Sequence, residues 1–336
     1  MTVHVLTAVH NRCETTRTFL NDIFDQHIDE TLRIVVVDDG STDGTGGMLR
    51  EHAQQTPANV TLSVVDGDGS WWWAKSMARA VDAAREHIAE DDVVIFMNDD
   101  IRVPTSTVAE LAHLTRSHGC IARAALRQVD APETVLDRGS VLEERTLSVI
   151  PLSTEQSVGG LTSVDVAPGR TVAYPGAIFT RGLNIDHARL PHHLADLEFS
   201  IRASREGFPI QLAEDVSTLS VNEVGLSRSP GNLVRRLTHI SSSDRLLSYW
   251  AFWRTVLPEL PRWILAIRFV RYLFLPNVLT VFPCFNKFVA KRMDDGISKR
   301  PPNEHASGSR HVPSRLSRLV WLGGHRGGGS RGRHVG

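Results

Sequence analysis

Apolar positions in the first hundred residues alternate between two patterns: short β-branched runs, and stretches in which apolar residues recur three or four apart. Val3 to Val9 reads as a first strand. Leu32 to Val37 reads as a second, an almost continuously apolar run that suits a central strand covered on both faces. Val60 to Val65 and Val93 to Met97 supply a third and a fourth, each preceded by a segment of helical spacing. Between Ala74 and Ile88, the residues Ala74, Met77, Val81, Ala84 and Ile88 share one helix face, whose expected role is core. Strands alternating with helices predict an α/β fold, a mostly parallel sheet built from right-handed βαβ crossovers.

The pattern fades from about Ala122 to Ser163, where short Thr/Val/Leu runs between polar turns predict an irregular β region of undetermined strand order. It returns at Val172 to Thr180 and at Leu194 to Gly207, a helix ended by glycine, with Pro209 to Leu212 as a further candidate strand. Residues 230–292 are rich in arginine and aromatic residues. Within them Trp263 to Phe282 is long enough to span a bilayer, but it contains Arg268 and Arg271 and is interrupted by Pro276. Two arginines at bilayer depth cost several kcal/mol, so a surface-lying amphipathic helix, or one packed on the domain or in a dimer interface, fits better than a crossing. Beyond Asp294 the Pro, Ser, Gly, Arg and His content predicts a disordered tail. The expected division is an α/β domain over 1–228, a helical, membrane-associated extension over 229–293, and a disordered basic tail over 294–336.

Composition narrows the class. With 336 residues, 41% hydrophobic and 22% charged, the chain is neither a stapled mini-protein, nor wholly disordered, nor multispanning. Basic and acidic residues number 27 and 35 up to residue 290, but 10 and 3 from Lys291 onward. An acidic body argues against nucleic acid as a partner, and the basic tail suits an anionic membrane surface. Cys13, Cys120 and Cys284 are isolated, without CxxC or zinc-ligand spacing, which points to a reducing, cytoplasmic setting. The first ten residues show no secretion signal.

In an open parallel sheet, ligands bind beyond the carboxyl ends of the strands. Here those ends are acidic. Strand two runs into Asp38-Asp39-Gly40-Ser41-Thr42-Asp43, strand three into Asp66-Gly67-Asp68-Gly69 and strand four into Asn98-Asp99-Asp100, while a later helix adds Asp196 and Glu198. Carboxylates crowded on one rim repel one another unless cations or hydrogen-bond donors lie between them, which outlines a site for a metal and a sugar nucleotide. A lone Asp-Asp-Gly-Ser is more often a turn and a cap for the helix beginning near Thr42.

Five pieces in order carry a more specific signal: Thr7-Ala-Val-His-Asn-Arg12, Asp38-Asp39-Gly-Ser41-Thr-Asp43, the tract from Gly69 to Val81, Asn98-Asp-Asp100 and Asp196-Leu-Glu198. Together, over about residues 3–225, they resemble family 2 glycosyltransferases of the GT-A fold, inverting enzymes of bacterial cell-surface polysaccharide assembly. The resemblance implies a Rossmann-like mixed sheet and a nucleoside-diphosphate sugar donor. It implies a saccharide or lipid-linked saccharide acceptor at the inner membrane face, and Mg²⁺ or Mn²⁺. By motif it assigns Thr7, Asn11, Arg12, Asp39, Ser41 and Asp99 to the nucleotide sugar, Asp100 to the metal and Asp196 to the general base. Hard oxygen ligands suit either cation, which steadies a departing diphosphate. A base is needed because a sugar hydroxyl is a poor nucleophile at neutral pH.

Three departures stand out. Ala195 replaces the glutamate that precedes the family's base, and Asn222 takes the place of a downstream histidine that completes the metal shell. The third is Gly69-Ser-Trp71-Trp72-Trp73-Ala-Lys75, in place of a Gly- and Asn-rich tract. Three consecutive tryptophans cannot all point into a core, so those at the rim offer faces for a sugar or base, with Trp73 and Lys75 expected against the donor. Glu198, His193 and Asn222 are supporting candidates. A sugar-binding or scaffold protein with a decayed site remains the non-enzyme reading. A sugar-nucleotide nucleotidyltransferase ranks lower because Val-His-Asn-Arg stands where a glycine-rich basic loop would follow strand one.

Overall fold

The computed structural model describes residues 1–144, 147–152, 160–220, 233–240, 242, 245–268 and 270. Asn222, Cys284, most of Trp263 to Phe282 and the tail beyond Asp294 lie outside the described residues.

The chain opens with β1 (Thr2–Val9), α1 (Cys13–Phe24), β2 (Thr31–Asp38), α2 (Thr45–Ala53), β3 (Val60–Asp66), α3 (Trp72–Ala84) and β4 (Val93–Met97). These four strands pair in parallel in the order β4-β1-β2-β3, with Val9 opposite Asp38 and Asp38 opposite Asp66, so the acidic strand ends are level. Beyond β4 come β5 (Ile101–Arg102), α4 (Thr107–His118), β6 (Ile121–Gln128), β7 (Val135–Asp137), β8 (Ser140–Glu143), β9 (Ser148–Pro151), β10 (Leu161–Ser163) and β11 (Thr171–Pro175). Then follow α5 (Gly176–Thr180), α6 (Ala195–Arg205), β12 (Ile210–Ser220), α7 (Leu233–Thr238) and α8 (Leu246–Val256). The sheet continues through β11, antiparallel between β4 and β6, then β12, parallel to β6, with β10 at the edge. The result is a mixed, mostly parallel sheet with helices on both faces.

Period-two alternation divides the core. Val3, Val5 and Val9 of β1 pack with Phe19 and Leu20 of α1 and Leu111 of α4, while Leu6 faces α3. All five apolar residues of the 74–88 face are buried in that second core, although α3 ends at Ala84 and Ile88 lies beyond it with extended backbone. The segment 172–180 divides into β11 and α5, and the predicted 209–212 strand runs on to Ser220. α8 joins the α3 face through Phe252 and Trp253, its Tyr249 hydroxyl donates to the Leu147 carbonyl at 2.6 Å, and Arg205 of α6 donates to the carbonyls of Thr255 and Val256. Among the described residues no helix is long and apolar enough to cross a membrane, and Cys13 and Cys120 are free thiols.

Candidate functional site

A cavity of about 400 Å³ opens at the carboxyl ends of β1, β2 and β4, within the range of small-ligand pockets. Ala8, Val9, His10 and Arg12 line it after β1, Asp39 after β2, Gly69, Trp72, Trp73 and Ser76 around the start of α3, Asn98, Asp99 and Asp100 after β4, and His192 before α6.

Asp39 holds this rim together. Its Oδ1 accepts the Gly69 amide at 2.9 Å, and its Oδ2 accepts those of Trp71 and Trp72, both at 3.0 Å. A carboxylate from one loop thus caps the helix that begins in the next, satisfying amides that have no partner within α3. The approach is tight. Gly40 has φ +67°, and a Cβ there would lie 2.6 Å from the Gly69 nitrogen, so only glycine fits. Capping by the Asp-Asp pair therefore differs from the expectation of one helix near Thr42. Asp38 Oδ1 takes the Ser41 amide, Asp39 caps α3, and the Thr45 amide at the start of α2 donates to Asp43 Oδ1.

The predicted crowd of carboxylates is resolved by donors. The hydroxyl of Thr45 holds the Asp43 carboxyl below its usual range, with the Cys13 amide adding to it, and the Ser70 hydroxyl does the same for Asp68. Arg50 pairs with Asp66 at 2.7 Å. Asp99 is buried, takes the Arg12 guanidinium on Oδ1 at 3.1 Å and the Thr16 hydroxyl on Oδ2 at 2.8 Å, and is still raised above the usual carboxylate range by burial. Asp100 differs from all of these. Its Oδ2 lies 3.7 Å from Arg12, and its Oδ1 is buried with no hydrogen-bond partner.

One unpartnered carboxylate oxygen on the cavity wall fits a divalent cation that draws its other ligands from a diphosphate and water, as Mg²⁺ sites commonly do. Among the described residues no group of three or more His, Cys, Asp or Glu is arranged to hold a metal ion by itself. Asn98, also on the cavity wall, accepts the Trp73 indole N–H on its Oδ1 at 3.1 Å, which uses one of that oxygen's two lone pairs.

The other sequence candidates divide. Thr7 is buried in β1 with its hydroxyl unpartnered and is not among the lining residues. Asn11, with φ +51°, braces the neighbouring loop: its amide donates to Ser41 Oγ and its Oδ1 accepts the Thr42 amide, each at 2.8 Å. Lys75 turns away from the cavity, its ammonium 4.9 Å from the centre of the Trp71 ring. Glu198 is buried in a two-pronged pair with Arg202 at 3.0 Å, one turn along α6, which makes it a structural brace. Asp196 sits just behind the wall. Its Oδ2 accepts the Gly169 amide at 2.8 Å, and Gly169 is wedged between Asp196 and the Trp73 ring. Burial raises the Asp196 carboxyl above its usual range. His193 stacks edge-on against His192 at 4.4 Å.

Two further residues of the cavity, Trp72 and His192, are not among the candidates singled out from the sequence. Trp72 is 38% exposed with φ +56°, and its ring lies 5.4 Å from that of His192. The Nδ1 of His192 is buried without a partner, and burial drops its imidazole to about 4. Asn11, Trp72 and Leu194 are three of the four non-glycine residues with positive φ among the described residues: Asn11 follows β1, Trp72 opens α3 and Leu194 precedes α6. Such strain collects where surrounding structure enforces a functional geometry. The signal available in sequence was the run of three tryptophans, one more than the core face of α3 can absorb.

Residues 4–166 match the family model described as glycosyl transferase family 2. No curated protein sequence matches the chain. Among solved structures, GalNAc-T7 with UDP, GalNAc and Mn²⁺ is similar at 14% identity and TM-score 0.54, covering 76% of this chain and 48% of its own. TarS 1–349 of S. aureus with UDP-GlcNAc is similar at 16% identity and TM-score 0.51, covering 77% and 73%. The same TarS fragment with UDP reaches 19% identity and TM-score 0.49, covering 65% of this chain and 59% of its own. At these identities the likeness establishes the GT-A fold.

Proposed function

Residues 4–166 belong to glycosyl transferase family 2, and from that premise we propose that the chain transfers a sugar from a nucleoside-diphosphate sugar to an acceptor hydroxyl with inversion. The observation that carries this reading is Asp100. It alone among the pocket-lining carboxylates keeps a buried oxygen without a donor, beside the one guanidinium in the lining. Solved structures of similar fold hold UDP, GalNAc and Mn²⁺ in GalNAc-T7 and UDP-GlcNAc in TarS, which supports a nucleotide sugar and a divalent cation here.

In this mechanism Asp39 fixes the loop against which the nucleoside rests, and Arg12 leaves Asp99 and Asp100 to meet the diphosphate. Mg²⁺ or Mn²⁺ bound through Asp100 Oδ1 would offset the charge gathering on the leaving nucleoside diphosphate. Gly169 orients the Asp196 carboxylate, which takes the proton of the acceptor hydroxyl. The freed oxygen attacks the anomeric carbon on the face opposite the diphosphate, and the electrons of the breaking C–O bond leave on the diphosphate oxygen. A carboxyl raised by burial is a better base near neutral pH than a free aspartate, and such assistance contributes about 10²–10⁴-fold. The test is sugar transfer by purified protein from a panel of nucleotide sugars with Mn²⁺, alongside Asp100→Ala and Asp196→Ala. Loss of at least about 100-fold in both is expected. Full activity in both variants overturns the assignment, and nucleotide binding without transfer by the native protein supports the decayed-site reading.

The acceptor is read as saccharide, carried on lipid and presented at the cytoplasmic face of a membrane, with residues 1–228 as the transferase domain and 229–293 as the attaching extension. In support, Trp263 and Ile267 stand exposed one turn apart on the helix over 262–268, flanked by Arg262 and Arg268. Failure of the full chain to float with anionic liposomes at low salt removes this part of the proposal.

A further inference from the structure

The cavity has two unlike ends. Arg12, Asp39, Asp99 and Asp100 make one end charged. The other is built from Trp72 and Ser76, one turn apart on α3, and His192. The indole of Trp72, 38% exposed, has two histidine rings near it, His192 tilted at 5.4 Å and His239 edge-on at 6.4 Å, and its backbone is in a conformation that tryptophan rarely adopts. Strain of this kind needs a return elsewhere. Two polar atoms of this end, Ser76 Oγ and His192 Nδ1, are buried and have no hydrogen-bond partner.

An exposed aromatic face next to unpartnered neutral hydrogen-bonding atoms complements a pyranose ring, which has one C–H face and a rim of hydroxyls. It does not complement phosphate, because this end carries no cationic lining group: the His192 imidazole is neutral at pH 7. The chain runs from His192 to Asp196 in four residues, and Trp73, next to Trp72, rests on the glycine that holds Asp196. We propose that Trp72, His192 and Ser76 form the subsite for the acceptor saccharide, with Trp72 as stacking platform and His192 and Ser76 as its hydroxyl partners. The proposal rests on the transferase reading for the word acceptor, but the predicted sugar contact is independent of it.

Saturation-transfer NMR on the full chain with millimolar methyl glycosides of glucose, galactose, mannose and N-acetylglucosamine tests the contact, with UDP and GDP titrated in parallel in the presence of Mn²⁺. At least one glycoside is expected to bind the native protein. Its affinity falls about tenfold in Trp72→Ala, less in Trp72→Phe, and falls also in His192→Gln, while nucleotide affinity stays within twofold. Absence of binding by every glycoside, or equal affinity in native protein and both Trp72 variants, overturns the proposal. Parallel loss of nucleotide affinity in Trp72→Phe and His192→Gln also overturns it and makes this end the nucleobase site. Trp72→Phe keeps a ring in the same place, so the comparison survives if the alanine variant does not fold. Should neither nucleotide bind the native protein, the transferase reading fails, while the glycoside data still decide the subsite.

Discussion

Two aspartates in one cavity invite opposite outcomes on substitution. Asp39 satisfies three backbone amides, so Asp39→Ala strips the cap from α3 and costs roughly 2 kcal/mol, or ~5 °C in melting temperature. Asp39→Asn, which keeps one accepting oxygen, loses less. Asp100 Oδ1 has no donor, so Asp100→Ala relieves an uncompensated buried group and leaves the melting temperature unchanged or higher, while Mn²⁺-dependent nucleotide affinity is lost. Thermal denaturation with and without nucleotide checks both, and a large drop in stability for Asp100→Ala would show that the oxygen is satisfied. His192 adds a pH signature. Its folded pKa, about 4, lies below the unfolded value near 6.5, so the unfolded chain binds the proton more readily. The resulting stability is fully present above pH 6.5 and is lost as pH falls toward 4, on the order of 3 kcal/mol over the window. The melting temperature of native protein should fall more steeply across that range than that of His192→Gln, and parallel curves would contradict it.

At the scale of elements, the contact between the loop before β11 and α6 is what places Asp196. Gly169 precedes β11 by two residues, and a Cβ there would meet the Trp73 ring at 2.9 Å and Asp196 Cβ at 3.1 Å. Gly169→Ala therefore spreads α3 from α6, and we expect kcat to fall about 10–100-fold with little change in nucleotide affinity. An unchanged kcat would mean that Asp196 is not held through this contact. Which elements were legible in the sequence follows from what forms them. β2 and β4 carry near-continuous apolar runs because both their faces are covered, β3 at the end of the sheet alternates buried with exposed residues, and the expected ends of β1 to β4 lie within a residue or two of the observed ones. β12 was read only to Leu212 because Glu214 and Asp215 interrupt it. Its register shifts between Ala213 and Ser217, and buried Glu214 is paired with Arg138, a partner 76 residues away. The strands β7 to β10 are three or four residues long, too short to show a period, and β10 exists only through its distant pairing with β12, which no local pattern encodes. The acidic loops were visible as acids, but not their partners: that Asp39 serves α3 and Glu198 serves Arg202 depends on contacts made only on folding.

Taken whole, the molecule has an acidic body around a cavity meant, on the proposed reading, for a polyanion, and it reconciles the two by neutralising its own carboxylates first. Asp38, Asp39, Asp43, Asp68 and Asp99 are each met by amides, hydroxyls or a guanidinium, and Asp66 by Arg50, so the carboxylate oxygen left without a donor on the cavity wall is Asp100 Oδ1. A nucleoside diphosphate should then bind poorly alone and well with a divalent cation. Ligand that binds only the folded state adds about 2.7 kcal/mol at 100 times its Kd, which for a domain of this size raises the melting temperature by roughly 5–10 °C. We expect such a shift for UDP or GDP with Mn²⁺, a shift at most one third as large with EDTA, and no difference between the two conditions in Asp100→Ala. An equal shift with EDTA would mean that Arg12 and the backbone amides bind the diphosphate without a cation, and Arg12→Ala would then abolish the shift where Asp100→Ala did not.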